Sequence, residues 1–184
     1  MSAAGFMPYC GNPPVPGGLS WNTDPVLVSS LLAVAAIYAL GCRRPNAPAK
    51  RERTFFAVGW ALVAAALISP LCNLSVALFS ARVAQHLVLT LVAAPLIVLG
   101  GPGRAIGGMP RSGKLGMLRD KYAMGIGAAA FAIAIWTWHL PGPYDATLRN
   151  NGVYWAMHIS TFGSALVLWH ALLHHGASRA SQSK

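Results

Sequence analysis

An all-α membrane protein is the fold class that this 184-residue sequence predicts, and three observations lead to it. Hydrophobic residues make up 55% of the chain and charged residues 10%, whereas about 25% of the residues in a soluble domain are charged. The hydrophobic residues form continuous stretches rich in Ala and Leu, rather than the alternating pattern of membrane strands. The basic residues, which give a formal net charge of +10, stand mostly between these stretches.

This composition argues against several broad classes of function. A soluble enzyme would need far more charged surface, and a disordered basic tail would lack the hydrophobic stretches. A nucleic-acid-binding protein would collect its basic residues on one face, whereas here they lie in two short blocks. The sequence also shows no paired carboxylates, nucleophile elbow or phosphate-binding loop. We therefore expect a protein that is not an enzyme.

Five hydrophobic stretches predict five transmembrane helices, since a bilayer core needs about 20 helical residues. They run from Pro25 to about Cys42, Thr54 to about Leu71, about Leu74 to Leu99, Tyr122 to Leu140 and Val153 to Leu173. The predicted organisation is an external Pro/Gly-rich arm at 1–24, a five-helix transmembrane domain at 25–173 and a cytoplasmic tail at 174–184.

Helix-boundary residues agree with these stretches. Asp24 followed by Pro25 is a typical N-cap and first helical residue, and Ser69-Pro70 marks the end region of the second helix. The glycine-rich segment at 100–103 ends the third helix. We expect Pro95 to kink that helix, because proline has no backbone N–H to donate.

The distribution of Lys and Arg predicts the orientation of the helices. The segment before Pro25 has none, whereas each of the longer loops, at 41–53 and 100–121, holds five, and the C-terminal tail holds two. The remaining two are Arg82 and Arg149, on the opposite side of the membrane. Because cytoplasmic loops are enriched in basic residues, we expect an external N-terminus and a cytoplasmic C-terminus.

Two of the three cysteines fall on the predicted external side. Cys10 lies in the arm and Cys72 in the turn after the second helix, whereas Cys42 lies on the cytoplasmic side. Because the external compartment is oxidising, Cys10 and Cys72 form a disulfide or, as thiols, act as soft metal ligands. The sequence leaves both alternatives open.

Three histidines on three consecutive helices lie at similar depths near the external side. The third stretch carries polar residues in its first half, so its apolar part begins later than Leu74, and His86 lies about a turn or two inside its external end. His139 ends the fourth helix, and His158 lies about 9 Å along the fifth. Ionisable groups inside a membrane are costly and usually functional, and neutral imidazole binds copper, zinc and iron. The coincidence predicts a metal site, whereas any one of these histidines alone fits an interfacial polar residue.

Arg82 shares the third helix with His86, and its role stays open at this stage. By default its side chain would extend toward the membrane surface. Alternatively, it would form an ion pair with Asp24 or Asp145, or bind a haem propionate.

Three segments resemble the multi-spanning CtaG family of cytochrome c oxidase assembly proteins. They are YCGNPPVPGGLSWNTDPVL (Tyr9 to Leu27), SPLCNLSVALFSARVAQHLVLTLVAAPLIVLG (Ser69 to Gly100) and WHLPGPYDATLRNNGVYWAMHIS (Trp138 to Ser160). The resemblance implies a plasma-membrane protein, of the bacterial inner membrane, that helps to mature a haem-copper oxidase by handling copper. Members often have further spans, so we expect helices three to five, the arm or a second subunit to complete any site here.

The leading hypothesis is an oxidase assembly factor that handles copper at the external face. His86, His139 and His158 are the first-choice ligands, and Cys10 and Cys72 would accept or pass Cu(I). The expected partners are oxidase subunits and membrane lipid, without nucleic acid, and a homo-oligomer is left open. The rivals are a haem protein that clamps iron between two of the histidines, a scaffold or chaperone without a metal and, least favoured, a metal transporter.

Overall fold

The computed structural model describes residues 7–11, 13–14, 18–107 and 114–182. Over these residues the chain is entirely helical or irregular, which confirms the all-α class. The helices, in chain order, are α1 Pro25–Gly41, α2 Lys50–Ile68, α3 Pro70–Ala77, α4 Phe79–Leu87, the π-helical segment Val88–Ala93, α5 Ala94–Leu99, α6 Pro102–Ala105, α7 Lys114–His139, α8 Pro141–Arg149 and α9 Asn151–Gln182.

Two to four helical segments are long and hydrophobic enough to cross a membrane, within the described residues. Phe79–Leu99 and Asn151–Leu173 meet that requirement as continuous helices. Lys50–Ile68 with Pro70–Ala77, bent by 50°, and Tyr122–His139 with Pro141–Arg149, bent by 74°, meet it only as bent pairs. These segments indicate a multi-pass membrane protein. The five-span count, the orientation and the limits of the arm and tail stay predictions, and α1, with 17 residues, is shorter.

Two short helices occupy positions where the sequence predicted turns. α3 and α8 both begin with proline as their first residue, which suits the start of a helix because its missing N–H is not needed there. The Ser69 hydroxyl caps α3 by accepting a hydrogen bond from the Leu71 N–H, at 3.3 Å. The predicted third helix starting near Leu74 is therefore wrong at that end: Leu78 is extended, and the span begins at Phe79.

A π-helical segment stands just before Pro95, where we expected a kink. The Ala94 N–H donates to the Leu89 carbonyl, so the Thr90 carbonyl loses the donor that a regular α-helix would give it. The Trp169 indole N–H from α9 donates to that carbonyl instead, at 2.8 Å. The widened turn is thus tied to the neighbouring helix.

Two clusters of buried hydrophobic side chains hold the helices together. The larger lies between α1, α2 and the α4–α5 region and includes Leu27, Tyr38, Phe56 and Ile97. The smaller consists of Cys10, Cys72, Tyr154 and Met157. We call the end of the molecule where the second cluster lies the disulfide end, and the predicted site residues are found there.

Candidate metal site

The three predicted histidines come together in the structure. The ring centroid of His86, on α4, lies 5.5 Å from that of His139, at the end of α7, and 5.6 Å from that of His158, on α9. His86 and His158 are 3% and 5% exposed, and His139 is half-buried. The rings form a row with His86 in the middle, which we call the histidine row.

Backbone hydrogen bonds set the protonation of the two outer rings of this row. His139 Nδ1 lies 2.7 Å from the Ile135 carbonyl, and His158 Nδ1 lies 3.2 Å from the Tyr154 carbonyl. Because a carbonyl oxygen only accepts, each Nδ1 must carry the proton, which leaves an Nε2 lone pair free to bind a metal. Histidines that ligate metals commonly donate their other ring N–H in this way.

The row also contains buried nitrogen atoms without a partner. Within the part of the chain that the structure describes, His158 Nε2 and both ring nitrogens of His86 have no hydrogen-bond partner. Such atoms normally find one, since burying an unpaired polar group costs about 1–3 kcal/mol. A ligand bound to these nitrogen atoms would therefore remove the free-energy cost of burying them unpaired.

The rings contact one another edge to face, with interplanar angles of 77° and 68°. Among the described side chains, no group of three or more His, Cys, Asp or Glu has the arrangement of a finished metal site. The row is thus a cluster of neighbouring imidazoles whose rings would have to rotate in order to share one metal ion.

Cys10 and Cys72 form a disulfide, and their Cα atoms lie 5.3 Å apart. The predicted proximity of these residues is confirmed, and the disulfide is the alternative that the structure contains. Both residues are buried, and the Tyr154 hydroxyl lies 3.4 Å from the Cys10 sulfur and 3.5 Å from the Cys72 sulfur. Cys42, the third cysteine, is free.

Tyr154 connects the disulfide with the histidine row. Its ring centroid lies 4.3 Å from that of His158, and its other neighbour is Tyr9 of the arm, stacked at 4.8 Å. Tyr9 also donates a hydrogen bond to Asp24, at 2.9 Å. The described part of the arm therefore packs on the start of α9, at the tyrosine that contacts His158.

The Tyr9–Asp24 contact shifts the pKa of both groups. Burial, followed by the neighbouring Asp24 carboxylate, raises the pKa of the Tyr9 hydroxyl. The Leu27 N–H, which donates to Asp24 at 2.8 Å, is the largest cause lowering the pKa of that carboxyl. Tyr9 is therefore neutral and Asp24 ionised at neutral pH.

Arg82 differs from the expectation of a side chain reaching the membrane surface, because it is only 2% exposed. Its guanidinium donates to the Ser75 carbonyl at 3.3 Å and to the Thr147 hydroxyl at 2.6 Å, and it lies 4.3 Å from the centre of the Tyr144 ring. The expected pairing with Asp145 is wrong, because Asp145 pairs with Arg149 at 2.9 Å. Asp24, the other acidic residue that we considered as a partner, accepts hydrogen bonds from Tyr9 and from the Leu27 N–H.

The sequence reasoning placed Arg82 near the site but missed its inward orientation. Arg82 and His86 are four residues apart on one helix and therefore share a face. This four-residue spacing was the feature of the sequence that could have predicted an inward orientation of Arg82. The neutral groups that replace a carboxylate come from α3 and α8, two helices that the sequence had presented as turns.

Comparison with known proteins gives one finding. The sequence matches the family of the cytochrome c oxidase caa3 assembly factor (Caa3_CtaG) over residues 34–184. This range contains the histidine row, Arg82 and Cys72, whereas Cys10 and the rest of the arm precede it. No curated protein and no solved structure matches the chain.

Proposed function

The chain belongs to the cytochrome c oxidase caa3 assembly factor family, and on this basis we propose that it assists oxidase assembly by holding copper on the histidine row. Membership implies a non-catalytic role and an association with the oxidase. The finer elements of the proposal are copper as the bound metal, His86, His139 and His158 as its ligands, and the plasma membrane as the location.

The single observation that carries the proposal is the row of contacting imidazoles. Metal–imidazole bonds are about 2.0–2.1 Å long, so two rings bound to one ion have centroids about 5–6 Å apart. The measured separations of 5.5 and 5.6 Å fall in that range. The Nδ1 hydrogen bonds of His139 and His158 leave the Nε2 lone pairs of these rings to bind a metal. The His86 ring, which makes no hydrogen bond among the described residues, would be the one to rotate toward the ion.

The same separations favour copper over haem. Two imidazoles on opposite sides of a haem iron would have centroids more than about 6 Å apart, with a porphyrin plane between them. Edge-to-face rings at 5.5 and 5.6 Å leave no room for a porphyrin, so haem would require the helices to move apart, whereas copper requires only rotation of a ring. Copper also accepts low coordination numbers with imidazole and thiolate ligands.

Cys10 and Cys72 would take part when they are reduced. A disulfide has no thiolate to offer, whereas two free thiols are soft ligands that suit Cu(I). The sulfurs contact the Tyr154 hydroxyl, and the Tyr154 ring contacts His158. In this proposal the thiols receive copper from the external compartment, and the histidine row holds it for the oxidase.

Copper titration of the purified full chain tests the proposal. With a coloured Cu(I) chelator as competitor and the disulfide kept oxidised, the wild type should bind about one equivalent. His86→Ala and His158→Ala should each weaken binding at least about tenfold. His170→Ala is the matched control, since it removes an imidazole of the same helix α9 about 18 Å from His158, and it should bind as the wild type does.

Three results would contradict the proposal. Equal copper binding by wild type and both site variants would place the metal elsewhere. A purified protein that carries a Soret band, lost in His86→Ala, would support the haem alternative. In cells, full oxidase activity with His86→Ala and His158→Ala combined would favour the scaffold without a metal.

A further inference from the structure

Arg82 places a buried positive charge beside the histidine row, and none of the carboxylate side chains that the structure describes pairs with it. Its guanidinium is protonated at any ordinary pH, and its contacts are a carbonyl, a hydroxyl and an aromatic ring, all neutral. It lies one helical turn before His86, on the same face of α4, and the His86 ring contacts that of His158. The positive charge of Arg82 therefore acts on the place where a metal ion would bind.

The acidic residues of the chain lie elsewhere. Asp24 accepts hydrogen bonds at the start of α1, and Glu52 and Asp145 form ion pairs with other arginines. No ion pair joins Arg82 to any of these three described carboxylates. The fourth, Asp120, belongs to α7 and is 19 residues before the histidine that ends it, about 28 Å along the helix.

The ligands of the row supply no negative charge either. Three neutral imidazoles leave the full charge of the bound ion uncompensated, unlike carboxylate or thiolate ligands. Because the surroundings are buried and poor in water, repulsion between this ion and Arg82 is weakly screened. Each additional unit of charge on the ion then weakens binding further.

We propose that Arg82 is a specificity-determining residue that makes the histidine row selective for a monovalent metal ion, Cu(I), over Zn(II) and Cu(II). The inference rests on the proposed copper function and adds the oxidation state of the metal. Imidazole sites bind Cu(II) and Zn(II) well, so ligand type alone would not exclude them. The fixed positive charge of Arg82 would weaken the binding of these divalent ions more than that of Cu(I).

The size of the effect follows from Coulomb's law. At on the order of 10 Å and an effective dielectric constant near 20, one unit of charge changes binding about tenfold. Removing the charge of Arg82 should strengthen the binding of both kinds of ion, with the divalent ion gaining about ten times more. The ratio of the Zn(II) dissociation constant to the Cu(I) dissociation constant is therefore the quantity to measure.

The experiment measures that ratio in the full chain for wild type, Arg82→Gln and Arg82→Lys, with anaerobic Cu(I) and with Zn(II). Arg82→Gln should lower it about tenfold, and Arg82→Lys, which keeps the charge, should leave it near the wild-type value. Arg149→Gln is the matched control: it removes the same charge from a side chain that is 74% exposed, and it should not change the ratio. The ratio is compared only between proteins with the wild-type circular dichroism spectrum and thermal unfolding, because unfolded chains also bind metal ions through Cys and His.

Two outcomes would overturn the inference, and they are distinguishable. If all the proteins bind both ions and Arg82→Gln leaves the ratio unchanged, Arg82 has a structural role only and the copper function stands. If the wild type binds neither ion, the copper function fails and the inference fails with it.

Discussion

At the scale of single residues, Asp24 shows how one carboxylate serves two parts of the chain. One of its oxygens accepts hydrogen bonds from the Leu27 N–H of α1 and from the Tyr9 hydroxyl of the arm. The first contact caps the helix, and the second holds the arm against the bundle. Both favour the ionised carboxylate.

Asp24→Ala should lower the free energy of unfolding by about 1 kcal/mol, the usual cost of losing an N-cap. Because the pKa of Asp24 is lowered in the folded protein, its contribution is complete above the unfolded-state value and is lost as pH falls through the folded one. The difference between wild type and variant should thus stay constant from pH 7 to about 5 and shrink below the ordinary value of 3.8.

Denaturant unfolding in detergent, followed by circular dichroism, measures this difference. Asp24→Asn keeps an oxygen that can cap α1, so it should cost less than Asp24→Ala at pH 7 and show weaker pH dependence. If Asp24→Ala were as stable as wild type at pH 7, neither contact would contribute to stability.

At the scale of helices, the π-helical segment depends on a contact with a distant part of the chain. The Thr90 carbonyl accepts from the Trp169 indole, so the irregular turn of one span is held by α9. Without that donor, the carbonyl would face a low-dielectric interior unpaired. The segment begins two residues after His86, and its Thr90 hydroxyl donates to the His86 carbonyl at 2.6 Å.

Trp169→Phe should therefore destabilise the protein by about 1–2 kcal/mol, since it removes the indole N–H and leaves the Thr90 carbonyl without its partner. The matched control is Trp136→Phe, the same chemical change at a side chain that is 74% exposed, with an expected change below about 0.5 kcal/mol. Thermal unfolding of both variants decides the matter, and equal stability losses would show that the indole hydrogen bond contributes nothing specific.

At the scale of the whole molecule, the disulfide fastens the N-terminal arm to the helices. Cys10 and Cys72 are separated by 62 residues in sequence, so their bond restricts a long loop in the unfolded chain. The Tyr9 stack on Tyr154 lies beside it. Losing the bond should therefore affect both the stability of the protein and the packing of the arm on Tyr154.

The double variant Cys10→Ser with Cys72→Ser should lower the free energy of unfolding by about 2–4 kcal/mol. It should also increase hydrogen exchange in the first turns of α9, because the arm would separate from Tyr154. Cys42→Ser, which removes the free cysteine, is the control and should leave the exchange unchanged. Unaltered exchange in the double variant would mean that the aromatic stack alone holds the arm.

The sequence alone was sufficient for every feature that depends on neighbouring residues. Hydropathy and composition predicted an all-α membrane protein. Asp24-Pro25 marked the start of α1. The distances of His86, His139 and His158 from the predicted helix ends placed them at one level, in agreement with the contacts between their rings. The proximity of Cys10 and Cys72 was predictable because both were assigned to one side of the membrane.

Only the tertiary structure decided which side chains face one another. Helical periodicity gives the face of a residue but not the rotation and crossing of its helix against distant helices. Arg82 therefore lies against Thr147, and Thr90 against Trp169, through contacts between residues 65 and 79 positions apart. The sequence did not predict the short helices α3 and α8, because they too depend on contacts with distant parts of the chain. Their stability comes from packing at the disulfide end, which no local pattern of eight or nine residues contains.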